Sequence, residues 1–161
     1  MIAEYLNSLS EPAARAALAR CCGAARWVER LLAARPFASD AALFEAAERA
    51  WWSLDAEDWR EAFAGHPRLG ASDTGGEWSR REQAGLDGAS AATRRALTEG
   101  NRAYEERFGH VFLLCATGKS AAEMLADLTR RLTNDSGQEL RIAAREQAKI
   151  TRLRLEKLVT S

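Results

Sequence analysis

Apolar residues in this chain recur three and four positions apart, and almost every such run is bracketed by a residue that starts or stops a helix. That pattern admits an assembly of helices and little else. Ser10 can cap a helix with Pro12 in its first turn, running through Ala13 to Cys22. Gly23 interrupts it, and a further stretch carries Trp27, Val28, Leu31 and Leu32 until Pro36 stops it. Ser39 or Asp40 caps the next, where Leu43, Phe44, Ala47 and Trp51 keep helical spacing. Asp55 then caps Ala56 to Ala64, with Trp59 and Phe63 at i, i+4 and Gly65 as a C-terminal stop.

From His66 to Gly76 no periodicity is visible, and Gly70, Ser72, Asp73, Thr74 and Gly75 mark a surface loop. Helix resumes around Glu77, weakens at Gly85 and Gly88, and restarts at Ser90. Leu97, Gly100, Tyr104 and Phe108 hold one face until Gly109 ends it. Ser120 with Glu123 reads as a capping box ahead of a stripe of Leu125, Leu128 and Leu132. The last helix is expected from about Ser136 to Val159. The only strand-like piece is Val111 to Cys115, and one short apolar run cannot make a sheet. The expected fold is all-α, a single domain over residues 1–161 built as a bundle of about seven to nine helices.

Composition narrows the partners. Lys and Arg number 23 and Asp and Glu 23, interleaved rather than massed, which argues against nucleic acid. A chain of 161 residues buries roughly 70% of the surface its unfolded form exposes, enough for a core without staples. No apolar run approaches the ~20 residues of a membrane span, so no membrane partner is expected. No basic segment precedes an apolar stretch at the N-terminus, and Val159-Thr160-Ser161 is not a peroxisomal address. The expected location is the cytoplasm. Cys21, Cys22 and Cys115 make a poor disulfide framework and lack metal-site spacing; they read as small buried hydrophobes in a reducing compartment. No His, Cys and carboxylate cluster points to a metal site, and no Gly-Lys-Ser/Thr follows the glycines of the loop as a phosphate cradle requires.

Two neighbouring stretches carry chemistry. His66, one of two histidines, is placed by Pro67 in extended backbone within a glycine-flanked loop. An unperturbed imidazole titrates near pH ~6.5 and can exchange protons at neutral pH; the alternative is a histidine that only caps the preceding helix. Close behind it, Ser79, Glu82 and Gln83 stand at i, i+3 and i+4, so a hydroxyl, a carboxylate and a carboxamide share one helix face. That face is either solvated, as Arg80 and Arg81 would have it, or turned into a small-molecule site. Arg154 lies at about 200° around the last helix from Arg152, on a stripe with Ile150 and Leu158. An arginine there needs an anion, either an internal carboxylate such as Glu82 or a ligand. His110 reads as a boundary or core histidine. The five tryptophans, Trp27, Trp51, Trp52, Trp59 and Trp78, read as core, with Trp78 also able to wall a pocket.

In this order the motifs resemble the 2-oxo-4-hydroxy-4-carboxy-5-ureidoimidazoline (OHCU) decarboxylases. The resemblance covers nearly the whole chain: Trp27, Arg35-Pro36-Phe37, His66-Pro67-x-Leu69-Gly70, Ser79-x-x-Glu82-Gln83, Asn101-x-x-Tyr104, Phe108-Gly109, Ala116-Thr117-Gly118-Lys119-Ser120, Asn134-Asp135 and Lys149-Ile150-x-x-Leu153-Arg154-Leu155. It implies a homodimeric, cofactor-free enzyme of urate breakdown that converts OHCU to (S)-allantoin and carbon dioxide. It implies His66 as the catalytic proton donor, with Pro67, Ser79, Glu82, Gln83 and Arg154 as substrate contacts. The segment from Leu114 to Gly118 resembles the family's backbone contact to the ring. Arg68 stands where many relatives have an acid, a departure that bears on the loop. Two other classes remain open to the sequence: a metal-dependent ureide hydrolase, and a non-catalytic helical module that binds ureides or a partner.

Overall fold

A computed structural model of the chain describes residues 1–70 and 76–160; the loop residues Ser72, Asp73, Thr74 and Gly75 lie outside them. Among the described residues there are nine α-helices and no strand: α1 (Ile2–Ser8), α2 (Glu11–Cys21), α3 (Ala25–Ala34), α4 (Asp40–Trp52), α5 (Ala56–Ala64), α6 (Glu77–Glu82), α7 (Ala91–Phe108), α8 (Ala121–Arg131) and α9 (Ser136–Lys157). A 3-10 turn, Ala84–Leu86, follows α6. The caps explain most boundaries. Ser10, Ser39 and Ser90 each accept the amide of the residue three positions on, and Ser120 with Glu123 forms both bonds of a capping box. Gly109 ends α7 with a φ of +79°, a left-handed conformation that costs glycine least.

The described chain clusters into two compact units, Met1–Ala62 with Gln147–Ser161, and Phe63–Glu146, with boundaries inside α5 and α9. In the first unit α2 packs on α3, α3 on α4, and α1 on α4. Trp27, Leu6, Leu18, Leu31 and Leu43 are fully buried there, and the Trp27 indole N–H donates to the Ala47 carbonyl at 3.1 Å. Helix α1 was not expected from the sequence, because its start carries no side-chain cap of its own. Its cap comes from α4 instead: the Asp40 carboxylate accepts the Ala3 amide at 2.9 Å and the terminal amine at 3.2 Å. These bonds hold the Asp40 carboxyl below its ordinary range. Ser39 alone caps α4.

Not all tryptophans are core. Trp51 is buried but Trp52 is 42% exposed and Trp59 half-buried. The three rings stack edgewise and tilted on one another, with centroids 5.8–6.5 Å apart. Cys21 and Cys22 are buried as expected, and burial pushes their thiols up to about 12 and about 11, so neither is a thiolate at neutral pH. Cys115 is only half-buried.

In the second unit α7 packs on α8. A single apolar cluster joins Leu97, Tyr104, Met124 and Leu128 of those helices to Leu69, Leu86, Phe112, Leu114 and Ala116 from the irregular segments. Gly100 faces α8: an added Cβ would lie 2.5 Å from Leu128 Cδ2. The buried stripe of α8 is Met124, Asp127, Leu128 and Arg131, with Leu125 and Leu132 at its edge rather than at its centre. Residues Val111 to Cys115 form an irregular connector, and among the described residues there is no strand for it to pair with.

Candidate functional site

The second unit brings together the histidine loop, the polar helix face and the 114–118 segment. Its described start, His66–Gly70, is held by contacts of four residues. The His66 amide donates to the Phe63 carbonyl at 3.1 Å, which closes the end of α5. Arg68, the departure noted in the sequence, makes a two-pronged bond to Glu105 on α7 at 2.7 and 3.1 Å. Leu69 is buried, and its carbonyl accepts the Asn101 carboxamide N–H at 2.9 Å. The Gly70 amide then donates to Gln83 Oε1 at 2.9 Å. With φ at +80°, Gly70 is in a conformation that a side chain would strain. His66 and Pro67 are half-buried, between the anchors at the end of α5 and at Arg68, Leu69 and Gly70.

Two of the three polar residues are turned inward, and Gln83 is half-buried. Ser79 and Glu82 are 8% and 9% exposed, while Arg80 and Arg81 on the same short helix are exposed. The solvated-face reading of Ser79 and Glu82 therefore fails. Gln83 lies just past the end of α6, and it ties this helix to the loop.

The third element arrives through a glycine. A Cβ on Gly85 would stand 1.8 Å from the Lys119 carbonyl oxygen, so backbone meets backbone where only hydrogen fits. This contact sets the turn Ala116–Lys119, closed by the Lys119 amide on the Ala116 carbonyl at 3.0 Å, against the residues that follow Glu82 and Gln83. Gly118, at φ +79°, is the third residue of that turn. Gly85→Ala is expected to destabilise the protein by about 2–3 kcal/mol, at the upper end for overpacking, as read from urea unfolding. A loss below ~0.5 kcal/mol would mean the turn moves aside freely.

The connector 111–115 is held by charges that the sequence did not single out. Arg131 is 3% exposed and Glu139 fully buried, and the Arg131 Nε–H donates to the Glu139 carboxylate. Arg131 Nη1 donates to the Leu113 carbonyl at 2.8 Å, and its guanidinium lies 4.6 Å from the Phe112 ring centroid. Burial pushes the neighbouring Tyr104 hydroxyl upward in pKa. On α9 the buried Glu146 accepts the Cys115 amide at 3.0 Å. The available signal was spacing: Glu139, Ala143, Glu146 and Ile150 form one stripe on α9, and acids on a buried stripe need donors. His110 is a boundary histidine among Phe63, Tyr104 and Phe108, with ring centroids 5.1–6.5 Å away.

Arg154 belongs to the first unit. It is half-buried beside the end of α2, where Nη1 reaches the Arg20 carbonyl at 3.4 Å. Among the described residues no three His, Cys, Asp or Glu side chains come together to hold a metal ion. Among the same residues no helix is long and apolar enough to cross a membrane.

Residues 7–156 match the family model described as OHCU decarboxylase. The uric acid degradation bifunctional protein TTL of Arabidopsis thaliana is 34% identical over 145 residues, 86% of this chain and 45% of that protein. The 2-oxo-4-hydroxy-4-carboxy-5-ureidoimidazoline decarboxylase of Amia calva is 34% identical over 100 residues, 58% of this chain and 57% of that one. The chain thus spans about half the length of these two relatives. Among solved structures, a crystal structure of OHCU decarboxylase in the presence of (S)-allantoin superposes with a TM-score of 0.79 at 34% identity, covering 89% of this chain and 96% of that one. A match over nearly its whole length, together with this fold and these motifs in order, shows that the chain belongs to the OHCU decarboxylase family.

Proposed function

We propose that this protein decarboxylates OHCU to (S)-allantoin in urate breakdown, and does so without a cofactor. The observation that carries the reading is the meeting, in one unit of a family member, of the anchored His66–Gly70 segment with inward-turned Ser79 and Glu82 and the 116–119 turn.

The reaction asks for little more than this. Breaking the bond from the ring to its carboxylate releases carbon dioxide and leaves an electron pair, which usually calls for a cofactor sink. In OHCU the adjacent ring C=N accepts that pair, so the substrate is its own sink. A proton must then reach one face of the ureido-bearing carbon as the hydroxyl-bearing carbon becomes a carbonyl. His66 is the group assigned to proton transfer, presented by Pro67. Glu82 positions the hydroxyl or ureido group, Ser79 and Gln83 the amide-like edges, and the backbone from Leu114 to Gly118 the ring. Gln83 has its oxygen on Gly70, which leaves its N–H groups as the ones suited to a substrate carbonyl. The resemblance adds Arg154 as a further substrate contact, a role tested by Arg154→Lys.

We also place the enzyme in the cytoplasm, a reading supported by the free, buried Cys21 and Cys22, and, on the family resemblance, read it as a homodimer acting as one domain. Light scattering reads the dimer directly. The functional test follows freshly generated OHCU by circular dichroism. The expected result is (S)-allantoin appearing faster than spontaneous decay and in excess over its enantiomer. Racemic product at the uncatalysed rate would end the reading.

A further inference from the structure

We propose that Glu146 is a positioning residue that, with Arg131, sets the Leu114 backbone for the substrate ring; this rests on the reading that Leu114 to Gly118 meets that ring. Among the described residues the connector 111–115 has no neighbouring strand to fix its register. Two buried charged side chains from different helices take that place. Arg131 of α8 grips the carbonyl of Leu113 from one side of Leu114, and Glu146 of α9 grips the amide of Cys115 from the other. The two bonds bracket a single residue, and each sets a buried polar side chain on one of its flanking backbone groups. Both charged groups are less than a tenth exposed, at 3% and 7%. Leu114 itself is buried in the core cluster with Leu69 of the histidine loop. Its side chain is thereby anchored on the same core as that loop, while its peptide groups are aimed by the clamp.

A clamp of this kind acts on geometry rather than on bond making. A misplacement of ~1 Å in a positioning group costs up to about 10²-fold, so loss of one of two clamps is expected to cost about tenfold. Glu146→Ala should raise KM for OHCU about tenfold with kcat changed less than about threefold, and should speed hydrogen exchange of the Cys115 amide at least about tenfold. Glu146→Gln keeps an oxygen for that amide and should stay within about twofold of the parent in both readouts. If Glu146→Ala does not fold, Glu146→Leu refills the space without an acceptor and gives the same comparison. Unchanged exchange at Cys115, faster exchange with unchanged KM, or a glutamine variant as impaired as alanine would each overturn the proposal. If the parent protein itself makes no (S)-allantoin, the decarboxylase reading fails, and the exchange experiment still decides whether Glu146 holds the connector.

Discussion

His66→Asn is expected to lower kcat/KM for OHCU by about 10²–10⁴-fold, the range supplied by a positioned acid–base group. Asparagine keeps a polar side chain of similar reach but has no proton to exchange between pH 5 and 8. The change leaves the main-chain anchors of this segment in place. The main-chain bond of residue 66 to Phe63 involves the backbone amide, and the loop is otherwise anchored through Arg68, Leu69 and Gly70. Because OHCU also decays unaided, the assay must follow the handedness of allantoin as well as its amount. A folded His66→Asn protein with turnover within a few-fold of the parent would remove proton transfer from this residue.

Arg131→Met should cost about 3–5 kcal/mol of stability, the usual effect of stripping one partner from a buried ion pair. Glu139 would be left fully buried with its main cation gone, and the Leu113 carbonyl would lose its donor. The double variant Arg131→Met with Glu139→Leu is expected to recover much of that loss, since two apolar groups fill the space without an orphan charge. Urea unfolding of the three proteins measures both terms. A single variant that loses less than ~1 kcal/mol would show that the pair is solvated in practice.

The helices were legible because their signals are local. Ser120 and Glu123 contain a whole capping box within four residues, and Gly109 carries the left-handed turn that ends α7. Where the stabilising partner is remote, the sequence is silent. Helix α1 is capped by Asp40, 37 residues from Ala3, and the irregular connector is held by Arg131 and Glu146 from later helices. The apolar stripe of α8 was displaced by one residue for a related reason. Asp127 and Arg131 are polar by type, yet they sit on its buried face because Lys119 and Glu139 neutralise them there.

The candidate site divides along the same line. Residue type and spacing put Ser79 and Glu82 on one helix face and took His66 out of the helix, because backbone sterics and the 3.6-residue period act over a few positions. Whether that face looked to solvent or inward depended on Gly85 lying flat against Lys119, and the loop's conformation depended on Arg68 finding Glu105. Such contacts join residues more than thirty positions apart, and only packing in three dimensions chooses among the many partners that one sequence offers each of them.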